Sequence, residues 1–318
     1  MEGGIHVKQP VLAVVGPTAV GKTRLGIELA RKYNGEIISG DSMQVYEGLT
    51  IGTAKPTLEE RREAPHHLVD MLSPDMPYSA ADFKAKAEPI IERLHGEGKL
   101  PIIVGGTGMY IRALLHDYSF YDAKKQEGVR EKWELYARQY GSDALHANLA
   151  RRDPERASAI HPNNVRKVVR ALEILETSEE GPTLSKKMQK KHSPYASFMI
   201  GLTMNRPYLY ERIERRVDRM MADGLEHEAR WLYERFGEEV QAAQAIGYKE
   251  WFPYFRGDAD TDWVAERMKR NSRRYAKRQL TWFRNKEDAH WYDITDRSRP
   301  FADEAFASIL RQFEREHR

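Results

Sequence analysis

An α/β fold, a parallel sheet flanked by helices and interrupted by a helical insertion, is predicted by three features of this 318-residue sequence. Short apolar runs alternate with stretches of helical periodicity, as the strands and crossover helices of a parallel sheet do. Polar and glycine-rich residues gather where those runs end, the side on which such sheets bind ligands. Between residues 122 and 195 the strand signal stops, and a helical stretch rich in Lys and Arg takes its place before a core strand returns.

The first run, Val11-Leu12-Ala13-Val14-Val15, leads directly into Gly16-Pro17-Thr18-Ala19-Val20-Gly21-Lys22-Thr23, a complete GxxxxGK[ST] phosphate-binding loop. Its glycines let successive N–H groups face one anion, Lys22 adds a charge, and the Thr23 hydroxyl is a ligand for Mg²⁺. Leu25, Leu29 and Tyr33 follow at helical spacing, so the loop opens a helix and the sheet is P-loop NTPase-like. Glu36-Ile37-Ile38-Ser39 is the next strand, ending at Gly40-Asp41-Ser42. A helix over Ala80 to Gly96 precedes the strand Leu100-Pro101-Ile102-Ile103-Val104, which ends at Gly105-Gly106-Thr107-Gly108. Ser197 to Leu202 is a further strand of the same sheet. The linkers near Asp122 and Ser193-Pro194 bound the insertion, giving a core of 1–121 and 196–318 around a helical unit of 122–195. From Pro207 the reading is helical to the C-terminus, with Leu209, Ile213, Val217, Met220 and Met221 as a buried stripe and Gly224 as a stop.

Composition narrows the class. With no cysteine there is no disulfide, no cysteine-ligated zinc and no thiol catalysis. No run approaches membrane-spanning length, and Met1-Glu2-Gly3-Gly4 lacks the apolar centre of a signal peptide. A soluble, unexported, cytoplasmic protein is expected. The formal charge of +3 hides local basic surfaces. Arg267, Lys269, Arg270, Arg273, Arg274, Lys277, Arg278, Arg284 and Lys286 lie among few acids, interleaved with Tyr275, Trp282 and Phe283, a composition suited to RNA.

A phosphate loop alone does not separate a hydrolase from a kinase or another transferase, so the polar strand ends must. Asp41 and Asp70 both end short apolar runs, where an ATPase keeps a Mg²⁺-holding acid. Asp41 is followed by Ser42, Met43 and Gln44, and a carboxylate in that company suits recognition of a hydrogen-bonding substrate, a metal, or a turn cap. Gly105-Gly106-Thr107-Gly108 lets a ligand approach backbone closely beside one hydroxyl, or simply packs a tight turn. Arg212, Arg216 and Arg219 share one helical face, and one of them reaching the phosphate site would stabilise a departing anion.

Together these segments resemble one family, the tRNA dimethylallyltransferases. The resemblance is carried by residues 16–23, by Asp41-Ser42-Met43-Gln44-Val45-Tyr46, by Gly105-Gly106-Thr107-Gly108-Met109-Tyr110, by Gln244-Ala245-Ile246-Gly247-Tyr248-Lys249-Glu250 and by Gln279-Leu280-Thr281-Trp282-Phe283-Arg284. It implies transfer of a dimethylallyl group from dimethylallyl diphosphate to N6 of the adenosine 3′ of the tRNA anticodon. The loop residues Gly16, Thr18, Ala19, Gly21, Lys22 and Thr23 would then hold diphosphate, with Mg²⁺ on Thr23. Asp41 would be the base, and Thr107 and Arg216 would act on the leaving group. The resemblance further implies contacts to the anticodon stem-loop from Asp41, Ser42, Met43, Gln44, Thr107, Gln244, Gly247, Tyr248 and Lys249, and from Arg130, Arg166, Lys167 and Arg170 in the insertion. There Val165, Val168, Val169, Leu172 and Leu175 form an apolar stripe that leaves the last three basic residues outward. The missing cysteines remove the C-terminal zinc finger of some eukaryotic relatives, so a compact bacterial-type form, acting as a monomer, is expected. The rival readings are a prenyltransferase acting on a free nucleotide, a small-molecule kinase using ATP, and a non-catalytic RNA-binding protein.

Overall fold

The computed structural model describes residues 8–116, 128–177, 193–295 and 303–316. The polar start at residues 1–4 and the expected boundary at 121/122 lie outside them. The chain divides into two compact units, Met1–Asp117 with His192–Arg318, and Tyr118–Lys191.

The first unit is built on six parallel strands: β1 (Pro10–Val15), β2 (Gly35–Ser39), β3 (His66–His67), β4 (Leu100–Gly105), β5 (Ala196–Thr203) and β6 (His290–Asp293), ordered β3-β2-β4-β1-β5-β6. β1 lies inside the sheet, with Val14 opposite Val104 of β4 and Ile200 of β5. Its alternate residues feed opposite layers. Val11, Ala13 and Val15 pack with Phe83, Ile91 and Ile111, while Leu12 and Val14 pack with Leu25, Leu29 and Ile213. Burial on both faces is why the strand reads as an unbroken apolar run.

Helices α1 (Lys22–Lys32), α2 (Leu58–Glu63), α3 (Ala80–Gly96) and α4 (Gly108–Leu115) cover the first half of this unit. In its second half, after the three helices of the insertion in chain order, come α8 (Arg206–Ala222), α9 (Leu225–Phe236), α10 (Phe252–Phe255), α11 (Thr261–Lys286) and α12 (Glu304–Glu316). On α8, Leu209, Ile213 and Val217 are buried and Met220 and Met221 partly so, and Gly224 breaks the helix with a φ of +95°. Among the described residues no helix is long and apolar enough to cross a membrane.

The expectation of helix from Pro207 to the C-terminus is corrected by β6. Four residues with only Tyr292 buried give too short an alternation to read, and pairing of Ile200 through Thr203 with His290 through Asp293 decides their conformation. The two-residue β3 escapes sequence reading for the same reason.

The second unit contains α5 (Val129–Arg152), α6 (Pro154–Ser158) and α7 (Val165–Thr177), with no strand among the described residues. α5 is broken at Gly141, whose φ of +84° and ψ of 170° interrupt the helix. Trp133, Leu145, Leu149, Val168, Val169 and Leu172 form its core. Arg166, Lys167 and Arg170 are exposed on α7. Arg170 pairs with Glu173 at 2.9 Å, and Arg130 on α5 with Glu134 at 3.1 Å, so those two cations are partly neutralised by their own helices.

Candidate active site

The loop after β1 turns through residues that tolerate left-handed backbone. Gly16 and Gly21 have φ of +146° and +108°, and Ala19 adopts +65°. A non-glycine residue held there marks strain that surrounding contacts must maintain. Three contacts do so. Thr18 N–H donates to Gln279 Oε1 at 2.8 Å, Lys22 Nζ to the Pro17 carbonyl at 2.8 Å, and Arg216 Nη1 to Thr18 Oγ1 at 3.2 Å. Burial, helped by the neighbouring Arg216 charge and opposed by Asp41, pulls the Lys22 ammonium down to about 7. Of the three arginines on the α8 face, Arg216 alone is bonded to the loop; Arg219, though exposed, also lines the larger chamber, and Arg212 is exposed.

The ends of β2 and β4 are fused by backbone. Gly40 N–H donates to Val104 O at 2.9 Å and Thr107 N–H to Gly40 O at 3.2 Å. Thr107 Oγ1 accepts the Ser42 N–H at 3.1 Å and lies 3.4 Å from Ser42 Oγ. This places the Thr107 hydroxyl beside Asp41, whose Oδ1 accepts the Met43 N–H at 2.8 Å. Burial raises the Asp41 pKa above the usual aspartate range, against the pull of the Met43 N–H, Lys22 and Arg216.

Gln279 is a site residue to which the sequence alone assigns no role. Its Nε2 donates to Gly106 O at 3.0 Å while its Oε1 holds Thr18 N–H, so one carboxamide ties the phosphate loop to the Gly-Gly-Thr turn. A Cβ on Gly106 would stand 2.1 Å from that Nε2, which is why glycine is required there. Among the buried residues of α11, Val264, Met268, Ala276, Gln279 and Phe283, Gln279 alone is polar. That mismatch is the available signal. Gln279→Ala leaves a buried N–H and carbonyl unpaired, at roughly 1–3 kcal/mol each. The expected result is a lower melting temperature together with a raised KM for the phosphorylated substrate; an unchanged KM would make the bridge purely architectural.

Two cavities open around these groups. One of about 480 Å³ contains Gly21, Lys22, Thr23, Lys55 and Gln279; the other, about 290 Å³, has an apolar wall of Met43, Ile213, Val217, Ile246 and Met268 beside Lys249, Ser272 and Arg278. Thr18, Asp41, Arg216 and Tyr275 line both, so the acid, the arginine and one aromatic ring stand where the chambers meet. Burial and Asp41 push the Tyr275 phenol up to about 12. A polar chamber rich in anion donors joined to an apolar one fits a reaction in which a phosphorylated donor hands an apolar group across a carboxylate.

Several expected RNA contacts are placed differently. Tyr248 is fully buried, and its hydroxyl donates to Glu228 Oε1 at 2.7 Å, so it braces the interior and offers RNA no surface. Gln44 accepts from Ser39 Oγ at 2.8 Å and its amide faces the Thr53 and Ala54 carbonyls at 3.4 and 3.3 Å, so it holds that loop while also lining the larger chamber. Gln244, Gly247 and Lys249 do line the apolar chamber, with Gln244 and Lys249 exposed. Asp70 stands outside both chambers, paired with Lys55 and with Arg61 Nη2 at 2.6 Å, which resolves its strand-end position as structural. On the basic helix α11, Lys269 and Arg273 meet Asp218 and Glu214 at 2.7 and 2.6 Å, acids far away in sequence. Phe283 is core, and Trp282 packs over Gly108.

The family model for IPP transferase matches residues 44–286, and that for isopentenyl transferase residues 9–69. The chain belongs to the tRNA dimethylallyltransferase family. It is 50% identical to a tRNA dimethylallyltransferase of Halalkalibacterium halodurans over 91% of this chain and 93% of that protein. With one from Bacillus subtilis it shares 52% over 91% and 92%. A crystal structure of the tRNA isopentenylpyrophosphate transferase of Bacillus halodurans superposes with a TM-score of 0.73 at 47% identity, covering 98% of each chain. A eukaryotic dimethylallyltransferase described as acting on tRNA reaches 0.85 at 31% identity, over 98% of this chain and 80% of that one. The phosphate loop, the Asp41 segment and Gly105 of the Gly-Gly-Thr turn line this pair of chambers, and Thr107 is bonded to Ser42 in the wall of one of them.

Proposed function

We propose that this protein transfers the dimethylallyl group of dimethylallyl diphosphate to N6 of the adenosine 3′ of the anticodon in tRNA, releasing diphosphate. The observation that carries this reading is Asp41, buried at the junction of a phosphate-binding and an apolar chamber.

In the polar chamber the loop N–H groups, Lys22 and Arg216 hold the diphosphate and take up the charge that grows as the allylic C–O bond breaks. Thr107 donates toward the oxygen that leaves. The adenosine unstacks to enter the apolar chamber, as chemistry on a base requires, and Met43 and Ser42 meet it there. Asp41 accepts a hydrogen bond from the N6 amine and takes its proton as the C–N bond forms; a raised pKa makes the carboxylate the stronger base. Thr23 also lines the polar chamber, and among the described residues no cluster of three or more His, Asp or Glu could hold a metal alone. That donor set fits Mg²⁺, which is ordinarily held by one or two protein groups, water and substrate phosphates. Bound through Thr23, Mg²⁺ would supply further charge neutralisation to the diphosphate. A tRNA acceptor supports a cytoplasmic enzyme.

The test supplies labelled dimethylallyl diphosphate and Mg²⁺ with unmodified tRNA, AMP or ATP in separate reactions. Label is expected in tRNA alone; label in AMP or ATP would move the protein to the free-nucleotide prenyltransferases. The exposed basic face of α7 gives a further expectation. Ala replacement of Arg166, Lys167 and Arg170 weakens tRNA binding and lowers its log–log salt slope by about 0.7–0.9 for each phosphate no longer neutralised, with donor affinity unchanged. Because Arg170 is paired within its helix, its share is the smallest. An unchanged slope would leave this face merely solvated.

A further inference from the structure

Glu228, on α9, lines neither chamber, yet its carboxylate gathers four donors. Oε2 accepts the N–H groups of Thr50 and Ile51 at 2.8 and 2.9 Å; Oε1 accepts the Gly52 N–H at 2.9 Å and the Tyr248 hydroxyl at 2.7 Å. Three successive backbone N–H groups converging on one anion form a concave nest that a carboxylate fills. Thr53 and Ala54, which continue this segment, are walls of both chambers, and Gly52 is a wall of the apolar one.

The segment is gripped from the other side too. Tyr248 packs so closely that a Cβ on Gly52 would lie 2.5 Å from its ring. Gly247, at φ +104°, gives its N–H to buried Glu250 at 2.9 Å, and Glu250 accepts Asn271 Nδ2 at 2.7 Å. Glu228 therefore joins residues 50–54 to the 244–249 turn, and both belong to the apolar chamber.

We propose that Glu228 is a positioning residue that holds the shared wall of the two chambers closed, so that the allylic carbon is delivered to the adenosine nitrogen and kept from water. This rests on the prenyl-transfer reading above. The competing outcome is chemically defined. If water enters, its oxygen bonds to C1 of the donor as the C1–O bond to diphosphate breaks, diphosphate leaves with the bonding pair, and the proton passes to solvent, giving dimethylallyl alcohol. A wall that excludes water suppresses this side reaction.

The experiment measures the ratio of dimethylallyl alcohol to prenylated anticodon stem-loop RNA in single mixtures of protein, RNA, Mg²⁺ and labelled dimethylallyl diphosphate. Once the alcohol formed in matched mixtures without protein is subtracted, the product ratio does not depend on how much of the protein is folded, so a merely structural role would not move it. Glu228→Ala orphans three N–H groups and should raise the ratio about 10-fold or more. Glu228→Gln keeps one acceptor oxygen but turns an amide donor toward the Gly52 N–H, and Tyr248→Phe removes one of the four donors. Each should raise the ratio about 2- to 5-fold, and they carry the test if the Ala variant does not fold. Wild-type ratios in variants that do fold, even with slowed turnover, would overturn the proposal. Failure of the wild-type protein to prenylate RNA at all would instead overturn the reaction on which it rests.

Discussion

Asp41→Ala is expected to lower turnover on tRNA by about 10²–10⁴-fold, the range for removal of a general base, with tRNA affinity near wild type. Affinity survives because one carboxylate adds little to an RNA footprint set by exposed cations. Asp41→Asn sharpens the test. The amide oxygen can still accept the Met43 N–H that now reaches Oδ1 at 2.8 Å, so the turn persists while the proton acceptor is gone. The pH profile adds a sign. Because burial raises the Asp41 pKa, kcat/KM should fall on the acid side at a pH above the ordinary aspartate value, and that limb should vanish in the Asn variant. Lys22, Arg216 and the Met43 N–H all oppose the shift, so a bound diphosphate, by neutralising the cations, pushes the Asp41 pKa further upward. Near-normal turnover in either variant would remove Asp41 from the chemistry.

Much of this site is legible in the sequence because its chemistry is local. Residues 16–23 state strand, loop and helix within a few positions, and Asp41 and Thr107 sit at the ends of apolar runs whose parallel pairing brings them together. What is not legible arises across long sequence separations. Gln279 bridges to Thr18 over 261 positions, and Glu228 to Thr50 over 178, and neither partner carries a local mark of the other. The resemblance puts Tyr248 among the tRNA contacts, but Gly52 leaves room for its ring and Glu228 accepts its hydroxyl, so it is buried whole. The basic stretch on α11 reads as uniformly available until α8 brings Glu214 and Asp218 against it. Period and motif locate reactive groups; they do not say which charges tertiary packing will neutralise.

Lys22→Ala is expected to reduce kcat/KM for dimethylallyl diphosphate by about 10²–10³-fold, as removal of a preorganised donor to a developing anion does. The lysine also gives this step a pH signature. Its pKa in the free protein lies near 7, against an ordinary value of 10.5, because burial and Arg216 disfavour the charged form. Diphosphate favours that form. Donor affinity should therefore decline as pH rises through 7, and binding near pH 8 should take up a proton, read as a buffer-dependent heat in calorimetry. Both effects should be absent in Lys22→Ala. The consequence for stability has the opposite sense. Between pH 7 and 10.5 the unfolded chain keeps a proton on Lys22 that the folded one has released, so this residue makes the fold more stable as pH rises across that window. Lys22→Met should remove that contribution. In the proposed reaction the loop grips two linked phosphates that leave together, so ATP should compete through its polyphosphate without replacing the donor. Supplying γ-labelled ATP with tRNA and small-molecule acceptors decides the matter: Lys22-dependent phosphoryl transfer without prenylated adenosine would make this chain a kinase.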